Sequence, residues 1–412
     1  MSDKLMKTPL PAGGMGWSAM DHREIEAVTN LLRQPNQLFR YFEQGQCENF
    51  ERELREQLGV KGALMVASGT SALSCCLAGW GIGPGDEVIV PAYTYIATAS
   101  AVIDAGAVPV VADIDESLAL DPADVERRIT PYTKAVIIVH MQGVPGRLHA
   151  IRALCKKHNL RLIEDACQAV GSKYFGQYTG MGSDAFAWSL NFFKVITCGE
   201  GGVFFTNDED AFLRGIYAHD PGTPMWKSGF ARGAKLAPFT QMGIRGNEIT
   251  AAIARVQLTK LEPMLAKTRA LKKHLLAHLD KPVNYRLQHV DDPEGDCGIS
   301  ICFIAKNKPL ADRMSALMIE QGLGIGSAHN DGFPDRHIYA FWDAILNKES
   351  PTPAGYPWKD PAYKGNVQYS REMCQASLDI LGRALRFGLN INMTTQNMEE
   401  VAATVNYADR HA

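Results

Sequence analysis

Seven short apolar runs after residue 60 constrain this chain more than any other feature. "GALMVAS", "DEVIVP", "VPVVADI", "KAVIIVH", "LRLIED", "DAFAWSL" and "GGVFFTN" arrive in turn, most of them separated by segments with helical periodicity. Their Val, Ile and Leu run continuously instead of alternating with polar residues. A strand of that kind has no water-facing side and must be covered on both faces. Helices between successive strands supply the cover and carry the chain back, which predicts an α/β fold with a mostly parallel central sheet.

The flanks divide the rest. Residues 1–20 are rich in Gly and Pro and read as an extended arm. "DHREIEAVTNLLR" (21–33) and "ENFERELREQLG" (48–59) have helical spacing. Residues 218–244 are irregular over a length that favours a functional or mobile loop. A strongly helical stretch, 247–279, follows, with Pro263 expected to bend or break it. Beyond it, strand-like "CGISICFIA" and helical "PLADRMSALMIEQGL" and "EVAATVNYAD" indicate a smaller α+β domain. The expected boundaries are an arm at 1–20, a large domain at 21–265 and a small domain at 266–412.

Bulk chemistry excludes several classes. With 46% hydrophobic and 21% charged residues the chain reads as an ordinary globular protein, and a formal net charge of -3 without a basic run argues against nucleic acid and anionic membranes. No apolar run approaches the roughly 20 residues of a membrane span. The N-terminus lacks the apolar core of a signal peptide, so a cytoplasmic location is expected. The nine cysteines form no CxxC pair, which favours free thiols in a reducing compartment and no metal framework.

In open α/β sheets ligands bind beyond the carboxyl ends of the strands, and four elements fall there. "ASGTSAL" (67–73) follows a strand and opens a helix. Gly69 permits close backbone approach, Thr70 and Ser71 offer hydroxyls, and the helix start offers free N–H groups to an anion; a plain helix cap is the alternative. "LIEDACQAVG" ends a strand in Glu164 and Asp165, and a carboxylate there is costly without a partner. A pyridinium nitrogen is one such partner, a helix cap another. In "PAYTYIA", Tyr95 could stack on a flat ring or belong to the core. In "SLNFFKVITCGEGG", Lys194 sits among Phe192, Phe193, Val195 and Ile196. Burial there disfavours the charged amine, and a neutral amine is what Schiff-base chemistry needs. Together these elements are the set that pyridoxal 5'-phosphate requires.

"SGTSAL", "GDEVIVPAYTYIATASAVIDAGAVPV", "EDACQAVG" and "SLNFFKVITCGEGG" resemble the DegT/DnrJ/EryC1/StrS sugar aminotransferases. The resemblance implies the aspartate-aminotransferase (fold type I) architecture, a homodimer and pyridoxal 5'-phosphate. By position, it assigns the cofactor-carrying lysine to Lys194 and the acid at the ring nitrogen to Asp165. It places Gln168 beside the ring and Tyr95 stacked on it, and matches Thr70 and Ser71, with Ser189, to the phosphate cradle. Gly243 departs from the pattern: the family usually has an asparagine there that reaches the partner's phosphate.

Within the family, "FRYFEQGQ", "CKKHNLRLIEDACQA", "ITCGEGG" and "DPEGD" look most like the 8-amino-3,8-dideoxy-octulosonate transaminases. That likeness implies an 8-keto octulosonic acid as acceptor, glutamate as donor and a place in lipopolysaccharide sugar biosynthesis; a nucleotide-linked keto-sugar is the other acceptor considered. Arg245 and His329 are expected on the substrate side, with Lys227, Arg232 and Lys235 as further cations. The competing readings are a sugar dehydratase on the same fold and a non-catalytic cofactor-binding regulator. Lys194, where some dehydrating relatives carry histidine, favours transamination.

Overall fold

The structure is a computed structural model that describes residues 4–220, 236–330 and 334–412. Lys227, Arg232 and Lys235 lie outside the described residues. After helices α1 (His22–Leu32) and α2 (Gln46–Leu58), the seven apolar runs form one sheet: β1 (Gly62–Val66), β2 (Glu87–Pro91), β3 (Val108–Ala112), β4 (Thr133–Val139), β5 (Arg161–Asp165), β8 (Ala185–Ser189) and β9 (Gly202–Thr206). A small hairpin of β6 (Lys173–Tyr174) and β7 (Gln177–Tyr178) stands apart. The sheet order is β1-β9-β8-β5-β4-β2-β3. The pairs from β8 to β3 are parallel, and β9 runs antiparallel to both β1 and β8. The continuous apolar runs are buried as expected: β1, β2, β3, β8 and β9 are covered along their whole length.

The order places β5 beside β8, so the carboxyl end of β5, which carries Asp165, meets that of β8, which carries Ser189. Helix α3 (Gly69–Gly79) leaves the end of β1 and packs on β8 and β9. Its "ALSCCLAG" run is buried throughout because the helix is clamped between the sheet and helices α4 (Ala97–Asp104) and α7 (Glu209–His219). Between them in the chain lie α5 (Pro122–Arg128) and α6 (Leu148–His158).

The stretch from Glu248 to Ala277 is one continuous 30-residue helix, so the break expected at Pro263 does not occur. The ring sits on the exposed side of the helix, and so does Thr259, whose carbonyl loses its N–H partner. Water can satisfy that carbonyl, which removes the main reason for the helix to end.

The small sheet is antiparallel, with β11 (Ser300–Ala305) between β10 (Tyr285–Leu287) and β12 (Ala384–Gly388). Helices Lys308–Glu320 and Thr395–His411 cover it through Met314, Met318, Val401 and Val405. Residues 338–381 return to the large sheet: Ile338, Tyr339, Trp342 and Cys374 share a buried cluster with Val88, Val90 and Val111. Trp342 is fully enclosed, and its indole N–H donates to the Arg336 carbonyl at 2.9 Å. Truncating such a side chain to alanine costs about 3–5 kcal/mol. The arm is anchored at both ends. Met6 N–H donates to the Gln321 carbonyl at 3.1 Å and Gly16 N–H to the Lys194 carbonyl at 3.2 Å. All nine cysteines are free, as the sequence predicts, and no helix among the described residues is long and apolar enough to cross a membrane.

Candidate active site

The start of α3 is built to leave N–H groups unclaimed. Ser68 is its N-cap, in extended conformation, and its hydroxyl accepts from Ser71 N–H at 3.1 Å and meets Ser71 Oγ at 3.0 Å. The N–H groups of Gly69 and Thr70 have no intrahelical partner, and the helix dipole adds partial positive charge there. Close packing explains Gly69: a Cβ on it would lie 2.8 Å from Ser189 Cβ and 2.9 Å from Cys167 Sγ. Gly202, paired with Ser189, faces the Ser68 carbonyl, which a Cβ would meet at 2.2 Å. Gly69, Ser189 and Cys167 therefore form one junction, with Thr70 and Ser71 at its rim.

Asp165 closes β5 and is 5% exposed. One carboxyl oxygen accepts from Thr98 Oγ1 at 2.8 Å and the other from Cys167 N–H at 3.1 Å. Thr98 is braced in turn by Thr94 Oγ1 at 2.7 Å. Partnering both oxygens offsets the cost of burying the group. Glu164, one residue earlier, points to the opposite face of the sheet, as strand alternation requires. There it accepts from His140 Nε2 at 2.9 Å, while Gly146 N–H donates to His140 Nδ1 at 3.1 Å. Of the two acids, only Asp165 belongs to the junction.

Lys194 is half-buried in the loop after β8, its N–H donating to the Asn191 carbonyl at 2.9 Å. No carboxylate among the described residues pairs with its amine. Burial pushes the Cys167 thiol well above its ordinary pKa; Asp165 adds to that rise and Lys194 opposes it. Cys167 thus lies in reach of both charges. The apolar flank is not what its composition indicates: Phe192 is 44% and Phe193 81% exposed, and only Val195 and Ile196 are buried. Phe192 stacks on Trp17 of the arm with ring centroids 5.6 Å apart, so its partner comes from the arm and not from the core.

Tyr95 is half-exposed and tilts against His337, 5.3 Å between ring centroids. Gln168 accepts from Gln142 N–H at 3.1 Å, and Gln142 holds the left-handed conformation with φ 57°. The Gln142 amide donates to the Tyr93 hydroxyl at 2.6 Å, and its carbonyl accepts from Ser300 of β11 at 2.9 Å. Burial pushes the Tyr93 phenol up to about 12, and the neighbouring Arg386 guanidinium opposes the rise. Arg386 stands exposed on β12 between buried Leu385 and Phe387. This polar path from Gln168 to the small sheet escapes motif reading, because Tyr93, Gln142 and Arg386 come from separate segments of the chain. Thr98 and Cys167 leave a fainter signal, the second in the D-x-C spacing of an Asp side chain bonded two residues on.

The residues expected on the substrate side divide. Arg245 bridges to Val66 at the end of β1, but its guanidinium is held by Asp220 at 3.1 Å. His329 lies against Phe341, its N–H donating to the Leu381 carbonyl at 3.0 Å, and shows no contact with the junction. A Cβ at Gly243 would meet nothing within 4 Å, so the backbone does not require glycine there for space.

A family model for the DegT/DnrJ/EryC1/StrS aminotransferases matches residues 18–339. The chain belongs to this family. GDP-perosamine synthase of Caulobacter vibrioides is 40% identical over 223 residues, which cover 53% of this chain and 57% of that protein. The chain therefore spans little more than half the length of this curated relative. Among solved structures, DesV of S. venezuelae, in complex with a ketimine intermediate, is 26% identical with a TM-score of 0.75, over 98% of this chain and 100% of that one. 3-Amino-5-hydroxybenzoic acid synthase superposes with a TM-score of 0.78 at 24% identity, over 98% and 100% of the two chains, and shares the fold. The architecture is that of the fold type I aminotransferases.

Pyridoxal 5'-phosphate is the cofactor of this family. The residues present fit it: free N–H groups and hydroxyls at a helix start for a phosphate, an anchored carboxyl for a ring nitrogen, and a lysine amine whose charge reaches the Cys167 thiol between them.

Proposed function

We propose that this chain is a pyridoxal 5'-phosphate-dependent aminotransferase that moves an amino group from glutamate to a keto-sugar. The observation that supports the reading is the junction itself, where Gly69, Ser189 and Asp165 meet at Cys167 and the charge of Lys194 reaches the same thiol. When bound, the cofactor supplies an electron sink for the carbanion at the donor's Cα.

Each residue then has a defined task. Gly69, Thr70, Ser71 and Ser189 hold the phosphate. Asp165, fixed by Thr98 and Cys167, would accept a charge-assisted hydrogen bond from a protonated ring nitrogen. Tyr95 would cover the ring and Gln168 would sit at its edge. Lys194 Nζ would take the proton from the donor's Cα and, as the conjugate acid, deliver it to the cofactor carbon that keeps the amino nitrogen, the work of a positioned base and acid. Arg386, beside Tyr93 and exposed, offers a guanidinium to a substrate carboxylate. Arg245, held by Asp220, and His329, apart from the junction, have no task in this arrangement, and the segment around His337, against Tyr95, is the side from which the acceptor would enter.

For the acceptor, the 40% identity to GDP-perosamine synthase supports a nucleotide-linked keto-sugar, and the sequence likeness to octulosonate transaminases supports 8-keto-3-deoxy-octulosonate in lipopolysaccharide sugar biosynthesis. A cytoplasmic homodimer is the state in which we expect it to work. Glutamate added to the purified protein should release 2-oxoglutarate and yield an amino form that then aminates one of the two acceptors. Removal of water from the sugar without nitrogen transfer would make it a dehydratase instead. An Arg386→Gln variant should raise KM for glutamate roughly ten- to hundredfold, the worth of a charged hydrogen bond; an unchanged KM would remove Arg386 from the site.

A further inference from the structure

The last turn of the long helix Glu248–Ala277 carries His274, and His278 caps it four residues on. Residues so spaced are neighbours on one helical face. Glu399, in the first turns of the C-terminal helix Thr395–His411, faces them. His274 Nε2 lies 3.0 Å from Glu399 Oε1, and the two imidazole rings are 4.4 Å apart between centroids. One ligand atom from each of the three lies within 4.8 Å of the others. The reading of the sequence expects no metal, because it weighs cysteine spacing and not this histidine pair.

We propose that His274, His278 and Glu399 form a site for a zinc-class divalent cation that ties the long helix to the C-terminal helix. Two imidazoles and one carboxylate are a known zinc ligand set with the fourth position left to water. Oxygen-seeking Mg2+ and Ca2+ are poorly served by two nitrogens. A tetrahedral ion with ligands at about 2.0–2.1 Å sets ligand atoms about 3.3 Å apart. The His274–Glu399 pair already has nearly that spacing, and a turn or shift of the His278 ring brings a nitrogen to the same distance.

A second feature prepares the site. His278 Nδ1 bonds the His274 carbonyl at 2.8 Å. That bond places the ring proton on Nδ1 and leaves the Nε2 lone pair free, the arrangement in which metal-bound histidines are held by a backbone acceptor. The surrounding frame is already joined: Asn406 Nδ2 donates to the His278 carbonyl at 3.0 Å, and Asp280 N–H donates to Asn406 Oδ1 at 2.9 Å. An ion therefore meets a nearly formed site and pays little ordering entropy. Because the site joins the helix that leads from the large domain to the last helix of the chain, occupancy stabilises the C-terminal docking by mass action.

The test is calorimetric titration of the full chain, cofactor retained and metal stripped with chelator, against Zn2+ alone and against Mg2+ alone. One saturable Zn2+ per chain is expected, with no Mg2+ binding at the same concentrations. His278→Ala and Glu399→Gln, one on each helix, should each weaken Zn2+ at least tenfold and abolish the rise in thermal midpoint that Zn2+ gives the parent. Both side chains are exposed, and the metal-free midpoints of the variants check that they fold. Absence of a saturable Zn2+ site, or unchanged binding in both variants, would overturn the proposal.

Discussion

Thr98 Oγ1 donates a 2.8 Å hydrogen bond to Asp165 Oδ2 across two different βα units, and both groups are buried. Thr98 sits at the start of α4 after β2, whereas Asp165 ends β5. The bond fixes the carboxyl that would hold the proposed ring nitrogen. A Thr98→Val variant keeps the shape and removes the donor. Losing one such bond costs about 1–2 kcal/mol, so kcat should fall roughly tenfold while the fold persists. Steady-state kinetics would show this, and an unchanged kcat would mean that Cys167 N–H alone holds Asp165.

Gly69 leaves no room for a side chain. An alanine there would bring its Cβ within 2.8 Å of Ser189 and 2.9 Å of Cys167 Sγ. The helix start must shift away from β8, carrying its free N–H groups with it. Overpacking of this kind costs about 1–3 kcal/mol, and Gly69→Ala should retain cofactor at least tenfold less well through dialysis. Equal retention would show that the helix start does not hold the phosphate.

Acid should weaken the protein through His219. Burial drives its pKa down to about 4, against the opposing pull of the Ile216 carbonyl 2.8 Å away. An unfolded histidine titrates near 6.5, so between these values the unfolded chain binds the extra proton. The stability contribution is therefore whole above about pH 6.5 and is lost as pH falls toward 4, by at most roughly 3 kcal/mol. Thermal midpoints measured across that window should fall more steeply for the parent than for His219→Gln. Parallel slopes would assign the acid sensitivity to other groups.

Much of this architecture is legible in the chain because the strands are covered on both faces and their composition says so. "KAVIIVH" and "GGVFFTN" have no polar side to confuse with an edge. The long helix is equally plain, yet Pro263 misleads there, because the effect of a proline depends on whether water reaches the freed carbonyl. The same dependence on tertiary setting explains Phe192 and Phe193, whose aromatic character indicates burial while the fold leaves them outward, one against Trp17. Strand-end residues such as Asp165 and Ser189 are visible from their place in the α/β pattern. Arg386, Tyr93 and Gln142 are not, since they meet only when the small sheet docks on the large one. The path of residues 338–381 back onto the large sheet is hidden for a related reason: its contacts with Val88 and Val111 are long-range and follow no local period.

The most direct test of the account is to identify the lysine that carries the cofactor. The purified protein would be reduced with borohydride, digested and mapped by mass spectrometry, alongside a Lys194→Ala variant. The account predicts one pyridoxyl adduct per chain, on the peptide "NFFK" or its extension through Lys194, and none in the variant. An adduct on Lys173, Lys260 or another lysine, or an undiminished adduct in Lys194→Ala, would contradict it.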